Sequence, residues 1–164
     1  MPTIGVYAGS FDPITRGHED LIRRALAFVD RLIVAVTTNV NKTPLFSVEE
    51  RVDLIRTSVD NDKRVEVLAF DGLLVDFAGA HGATLLIRGL RAVADFEYEY
   101  QMALMNRHLA SALETVFMVP SLETSYISSS LVREIARFGG SLESLVHPHV
   151  AEALRKRNES GPRQ

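Results

Sequence analysis

The sequence predicts an α/β fold built on a single doubly wound, five-stranded parallel sheet. Three observations point there. Short runs rich in Val, Ile and Leu alternate with amphipathic stretches of helical length. The runs are almost continuously apolar, as parallel strands covered on both faces require. No internal repeat, low-complexity tract or interior linker interrupts the alternation.

Thr3–Ala8 is the first strand, and Gly17–Phe28 follows as a helix with Leu21, Ile22, Ala25 and Leu26 on its apolar face and Val29 just beyond. Arg31–Thr38 is the second strand. Ser47–Val59 is the second helix, opened by Ser47 and Glu50 at capping-box spacing. Val65–Phe70, Thr84–Arg88 and Thr115–Val119 complete the sheet. Leu74–Ala80, Asp95–Leu109, Ser129–Phe138 and Pro148–Arg157 are the remaining helices, with Gly82 and Gly139–Gly140 placed where helices stop. One domain is expected over residues 1–157, followed by a flexible tail, Asn158 to Gln164, that carries Ser160, Gly161 and Pro162.

Composition narrows the function. The chain has 164 residues, with 18 Lys+Arg against 21 Asp+Glu and a formal net charge of −3. A nucleic-acid-binding module would carry a clustered basic excess, so any anion bound here is expected to be small. The absence of cysteine excludes a disulfide framework, a thiolate zinc site, an iron–sulfur cluster and a cysteine nucleophile. A domain of this length buries roughly two thirds of its unfolded surface and needs no such staple. Apolar stretches such as Leu32–Val36 and Ala83–Ile87 fall short of the roughly 18 residues a membrane span needs. Thr3–Ala8 runs into Gly9-Ser10-Phe11-Asp12-Pro13 instead of a signal-peptide cleavage site. A cytoplasmic location is expected, without membrane or nucleic acid as partner.

In a doubly wound sheet the ligand crevice lies beyond the carboxyl ends of the strands. After the first strand stands Gly9-Ser10-Phe11-Asp12-Pro13-Ile14-Thr15-Arg16-Gly17-His18, which has neither the G-x-G-x-x-G dinucleotide fingerprint nor a Gly-Lys-Ser/Thr ending. Gly17 lets the backbone approach a ligand, and Ser10 adds a hydroxyl. His18 falls in the first helical turn, where free N–H groups and the helix dipole favour an anion. After the fourth strand, Arg88-Gly89-Leu90-Arg91 sets two guanidiniums beside a glycine, an arrangement suited to phosphate oxygens. The competing reading pairs these arginines with Asp95 or Glu97. Lys42 stands in the loop after the second strand. After the fifth strand come Pro120–Ser130 and a helix bearing Arg133, where the three consecutive serines Ser128, Ser129 and Ser130 and the free N–H groups suit a second phosphate cradle facing His18. Tyr98, Met102, Met105 and Leu109 recur at helical spacing, and core packing is the expectation for Met102 and Leu109. His81, His108, His147 and His149 lack supporting neighbours and read as structural or exposed.

Thr15-x-Gly17-His18 after a first strand, with Ile127-Ser128-Ser129-Ser130-x-x-Arg133 at a late helix start, resembles the paired signatures of the nucleotidylyltransferase superfamily. The wider wording is similar to the bacterial phosphopantetheine adenylyltransferase family over about residues 3–150. It comprises Gly9 to Pro13, Lys42 ahead of Pro44-Leu45-Phe46, Arg88-Gly89-Leu90-Arg91, and Asp95-Phe96-Glu97-Tyr98-Glu99. The resemblance implies a Rossmann-like nucleotidylyltransferase fold with C-terminal helices. It also implies transfer of AMP from ATP to 4′-phosphopantetheine, giving dephospho-coenzyme A and pyrophosphate with magnesium, in the penultimate step of coenzyme A biosynthesis. A homohexamer is implied, as is feedback inhibition by coenzyme A.

Carried onto this sequence, the resemblance gives catalytic roles to His18, Lys42, Arg88 and Arg91. Ser10, Phe11, His18, Gly89, Leu90, Arg91 and Glu99 would contact ATP, together with Thr124, Ser125, Tyr126, Ile127, Ser128, Ser129 and Ser130. Ser10, Lys42, Leu74, Arg88, Met105 and Asn106 would contact the acceptor. No protein ligand set for metal is expected, because Mg2+ is held mainly by ATP phosphates and water. The chain departs from the family at Thr124, where an aromatic is common, and Tyr126 is a substitute for packing adenine. Ser10, where relatives often have Thr, keeps the hydroxyl. Two alternatives stay open. One keeps the superfamily but changes the acceptor, to glycerol-3-phosphate with CTP or nicotinamide mononucleotide with ATP; the other is a sensing module that binds ATP without turnover.

Overall fold

Five strands, β1 (Ile4–Gly9), β2 (Arg31–Thr37), β3 (Val65–Phe70), β4 (Leu85–Gly89) and β5 (Glu114–Met118), form one parallel sheet in the order β3-β2-β1-β4-β5. The computed structural model describes residues 1–39 and 43–161. From β1 the chain steps outward through β2 and β3, then returns to the other side of β1 to lay down β4 and β5. β1 pairs with β2 from Ile4↔Arg31 to Gly9↔Val36, and with β4 from Gly5↔Leu85 to Tyr7↔Ile87. The order therefore reverses between β1 and β4, which places the crevice at their carboxyl ends.

Side chains alternate across the sheet and divide the core in two. Tyr7, Leu32, Val34, Val36 and Ile87 face one layer, where α1 (Arg16–Ala25), α2 (Val48–Ser58), α5 (Ser129–Arg137) and α6 (Pro148–Ser160) supply Leu21, Ile55, Val132 and Leu154. Val6, Ala8, Ile33, Ala35 and Leu86 face the other, where α3 (Leu74–Ala80) supplies Val75 and Ala78. α4 (Val93–Leu109) follows β4.

The expected elements all form, and their differences from expectation have local causes. α1 ends at Ala25 because the chain tightens into i→i−3 bonds, Ala27 N–H to Arg24 O and Phe28 N–H to Ala25 O. That turn leaves Phe28 60% exposed and tucks Val29 into the core at 5%. α6 continues to Ser160, so Asn158–Ser160 are helical where a flexible tail was expected. A Glu152–Lys156 ion pair of 2.9 Å and a bond from the Ser160 hydroxyl to Lys156 O of 2.8 Å support the extra turn. Ser47 and Glu50 do form the predicted capping box of α2. Among the described residues, no helix is long and apolar enough to cross a membrane.

Candidate active site

A cavity of about 560 Å3 opens at the carboxyl ends of β1 and β4, and Ser10, His18, Arg88, Gly89 and Arg91 line it. The start of α5 closes the opposite side with Ile127, Ser128, Ser129 and Ser130. The fold therefore brings together the three segments singled out at the ends of the first, fourth and fifth strands.

His18 owes its place to the start of α1. Thr15 is the N-cap: its hydroxyl accepts the His18 N–H at 3.4 Å, and His18 Nδ1 accepts the Thr15 N–H at 3.0 Å. This is a capping box in which an imidazole stands in for the usual Glu or Gln. A main-chain N–H can only donate, so Nδ1 carries the lone pair and the neutral ring holds its proton on Nε2. Burial first, and the Arg91 guanidinium second, lower the pKa of His18 from 6.5 to about 4. At neutral pH the residue is an uncharged Nε2–H donor. The Phe11 ring packs edge-on against it at 4.9 Å and against Tyr7 at 5.3 Å. Phe11, only 2% exposed, lines the cavity and backs His18 with its ring.

Arg88 is the penultimate residue of β4 and is held by three bonds. Nε and Nη2 donate to the two Glu99 carboxylate oxygens at 2.9 and 2.6 Å, and Nη1 donates to Ala8 O at 2.9 Å. The pairing is bidentate. Its partner is Glu99 and not Asp95 or Glu97. Asp95 and Glu99, four residues apart on α4, both line the cavity, whereas Glu97 lies round the helix and is exposed. Glu99, expected to contact ATP, is in this structure a partner of Arg88. Two of the five N–H groups of the guanidinium lie outside these bonds and can reach a phosphate.

The serine segment is more committed than its composition suggests. Ser128 caps α5 by accepting the Leu131 N–H at 3.1 Å, Ser129 donates its hydroxyl to Pro13 O at 2.7 Å, and Ser130 accepts from Arg133 at 3.2 Å. What α5 offers an anion is thus mainly its first main-chain N–H groups, which have no helical carbonyl to bond. Arg91 reaches across the cavity to Ile127 O at 3.4 Å. Gly17 was expected to let backbone approach a ligand. It lines the cavity, and a Cβ there would stand at the ordinary contact distances of 3.4 Å from Thr124 O and 3.7 Å from Ile127 O. At Gly89 a Cβ would come within 2.5 Å of Leu21 Cδ1, so any side chain there would have to displace the end of Leu21 between β4 and α1.

A second cavity of about 330 Å3 adjoins the first and shares Ala8, Gly9, Arg88, Tyr98 and Glu99 with it. Leu74 and Asn106, expected to contact the acceptor, line it together with Thr37, Phe70 and Met102. Met105 does not: it is 53% exposed on another face of α4. The face toward the groove is Tyr98–Glu99, Met102–Ala103 and Asn106, stepping by four residues. Met102 and Leu109, expected in the core, are 39% and 52% exposed.

Other expected contacts fall outside the cavities. Leu90 donates its N–H to Met118 O, Ser125 bonds Leu122 O, and Tyr126 is 60% exposed, whereas Thr124 does line the larger cavity. Lys42 lies outside the described residues. Three acidic or basic side chains without a role in the sequence reading hold the walls. Asp20 accepts the Ser121 hydroxyl at 2.8 Å and so ties the 120–124 segment to α1. Asp12 accepts the Leu45 and Phe46 N–H groups at 2.8 and 3.0 Å. Arg51 is enclosed beneath the strand ends. Only burial would have flagged them, because single Asp and Arg residues carry no spacing signal.

The chain is similar to known proteins in sequence and in fold. The chain matches the family model described as cytidylyltransferase-like over residues 6–135. It is 54% identical over 157 residues to a phosphopantetheine adenylyltransferase of Clostridium perfringens (strain ATCC 13124), covering 96% of each chain. To the protein of the same name from Anaeromyxobacter dehalogenans (strain 2CP-C) it is 50% identical over 163 residues, 99% of each. To that of Nostoc punctiforme it is 57% identical over 148 residues, 90% of this chain and 81% of the other. A solved structure from Vibrio parahaemolyticus, provisionally described as a nicotinate-nucleotide adenylyltransferase, superposes with a TM-score of 0.69 over 98% of both chains. At 16% identity that likeness shows the fold alone. On these matches the chain belongs to the cytidylyltransferase-like family and, within it, to the phosphopantetheine adenylyltransferases.

Proposed function

We propose that this chain transfers AMP from ATP to 4′-phosphopantetheine, forming dephospho-coenzyme A and pyrophosphate. The observation that carries the reading is the junction of two unlike cavities at the Arg88–Glu99 pair. The larger is ringed by His18, Arg91 and the start of α5, as a triphosphate requires. The smaller is a groove of Leu74, Phe70, Met102 and Asn106, suited to an apolar arm that carries amides. A phosphate at the end of that arm would meet Arg88.

In this reading an acceptor phosphate oxygen attacks the α-phosphorus of ATP in line. The new P–O bond forms as the bond to the β-phosphate oxygen breaks, and pyrophosphate leaves with that electron pair. No protein nucleophile is needed, so the protein supplies position and charge. Orientation alone accounts for about 7–11 kcal/mol of such a barrier. His18 Nε2–H donates to an α-phosphate oxygen as charge builds there. Arg88 and Lys42 hold the acceptor phosphate, and Arg91 with the α5 N–H groups holds the departing pyrophosphate.

ATP enters as its magnesium complex. The larger cavity offers hydroxyls, arginines and main-chain N–H groups, and of its two carboxylates Glu99 is engaged by Arg88, which leaves Asp95, a donor set that suits an ion carried mainly by phosphates and water. Magnesium supplies neutralisation of phosphate charge. Supply of ATP places the reaction in the cytoplasm. Exposed apolar residues on α4, among them Phe96, Tyr100, Leu104 and Met105, support assembly into a homohexamer that covers them. Coenzyme A, which shares the product's skeleton, would compete at the same site.

The test is pyrophosphate release with magnesium and ATP. 4′-Phosphopantetheine would be compared with glycerol-3-phosphate, nicotinamide mononucleotide and no acceptor. Release with phosphopantetheine alone, with dephospho-coenzyme A identified by mass, is the expected outcome. Release with another acceptor overturns the substrate assignment, and ATP binding without any release overturns the reaction.

A further inference from the structure

Arg51 is 1% exposed, a guanidinium sealed in the interior. Enclosing a cation is costly unless an acid answers it. Among the described residues, every hydrogen bond of Arg51 ends on a main-chain carbonyl. Nη1 donates to Ser10 O at 2.7 Å and to Thr37 O at 3.1 Å, and Nε donates to Phe46 O at 3.2 Å and Ser47 O at 3.4 Å. A rule of core design is broken here, and such breaks gather where function demands them.

The carbonyls belong to different walls. Ser10 lines the larger cavity, and Thr37 lines the adjoining groove. A single nitrogen therefore ties a wall of one cavity to a wall of the other. The Phe46 and Ser47 carbonyls anchor the same guanidinium to the start of α2. Asp12 braces this junction independently, because its carboxylate takes the Leu45 and Phe46 N–H groups while its carbonyl accepts from Arg133 at 2.6 Å.

We propose that Arg51 is a positioning residue that fixes the nucleotide cavity and the acceptor groove in one register, so that their occupants meet at reacting distance. The inference rests on the adenylyl-transfer reading above. In-line displacement is intolerant of misplacement, and an error of about 1 Å costs up to about 10²-fold in rate. Lysine keeps the charge but cannot bridge separate carbonyls with a planar fork. Arg51→Lys is thus the discriminating variant.

The experiment compares wild type, Arg51→Lys and Leu154→Ala, the last a core truncation in α6 that serves as a control for lost stability. Three quantities are read on folded protein: kcat for dephospho-coenzyme A formation, the equilibrium Kd for ATP, and amide hydrogen exchange at Leu45 and Phe46. For Arg51→Lys the expected result is a kcat about 10 to 100 times lower, an ATP Kd within about threefold, and markedly faster exchange at both amides. Leu154→Ala should lower the melting temperature without changing kcat or Kd per folded molecule. Unchanged kcat in folded Arg51→Lys, or unchanged exchange at Leu45 and Phe46, overturns the proposal.

If Arg51→Lys fails to fold, Asp12→Asn tests the same junction, because the two N–H groups meet separate carboxylate oxygens and an amide would turn its NH2 toward one of them. Normal kcat and exchange in Asp12→Asn overturn the proposal equally. The exchange measurement needs no substrate. A wild type without transferase activity would therefore sink the functional reading, while the exchange data still decide whether Arg51 holds the junction.

Discussion

His18 and Arg88 face the same cavity from α1 and β4, yet they are held by different physics. His18 is fixed by two main-chain bonds within its own helix cap and is kept uncharged by burial. Arg88 is fixed by a carboxylate eleven residues along the chain, on another element, in a half-buried ion pair. The first group is pre-aimed and insensitive to pH over the working range. The second is a charge oriented by the Glu99 carboxylate and the Ala8 carbonyl. A neutral donor suits charge that appears only in the transition state, whereas a fixed cation suits a substrate that arrives already charged.

The largest expected effect comes from breaking the His18 side. His18→Ala should lower kcat about 10²- to 10³-fold, as removal of one preorganised donor does elsewhere, with ATP affinity nearly unchanged. Steady-state kinetics beside calorimetric ATP binding checks this. The same residue shapes stability. The native state binds this proton less readily than the unfolded chain, because the pKa falls from 6.5 to about 4 on folding. Its contribution is fully present above pH 6.5 and is lost progressively as pH falls towards 4. Urea unfolding at stepped pH should show that slope in wild type and a shallower one in His18→Gln.

Breaking the Arg88 side should cost less. Glu99→Gln leaves the guanidinium with a partner that cannot match both N–H bonds. Stability should fall by about 1–2 kcal/mol, and the rate by about tenfold through looser acceptor placement. Chemical denaturation and kinetics measure both. The smallest effect sharpens the contrast by touching neither side: Ser47→Ala removes the α2 capping box, costs about 1 kcal/mol of stability, and should leave kcat within error.

The regular elements were legible because their signals are local. The apolar runs, the Ser47–Glu50 spacing and Gly139, which adopts φ +73° at the end of α5, each act within a few residues. Thr15-x-Gly17-His18 was legible for the same reason, since cap and ring lie in one turn. The Arg88–Glu99 pair and the bond from Ser129 to Pro13 O were not, because they join elements that meet only once the sheet is assembled. Met102 displaces Met105 in the groove because the orientation of α4 is set by its neighbours, which its own apolar periodicity does not encode. Arg51 was the least legible of all: Ser10 and Thr37 approach one guanidinium only because β1 and β2 pair in parallel.

The central claim is that His18 is a neutral Nε2–H donor locked by its own helix cap. Nitrogen-15 NMR of the imidazole through a pH titration tests it most directly. The expected result is a proton on Nε2, an unprotonated Nδ1, and no titration until the pH approaches about 4. A ring that titrates near 6.5, or one that carries its neutral-state proton on Nδ1, would contradict it.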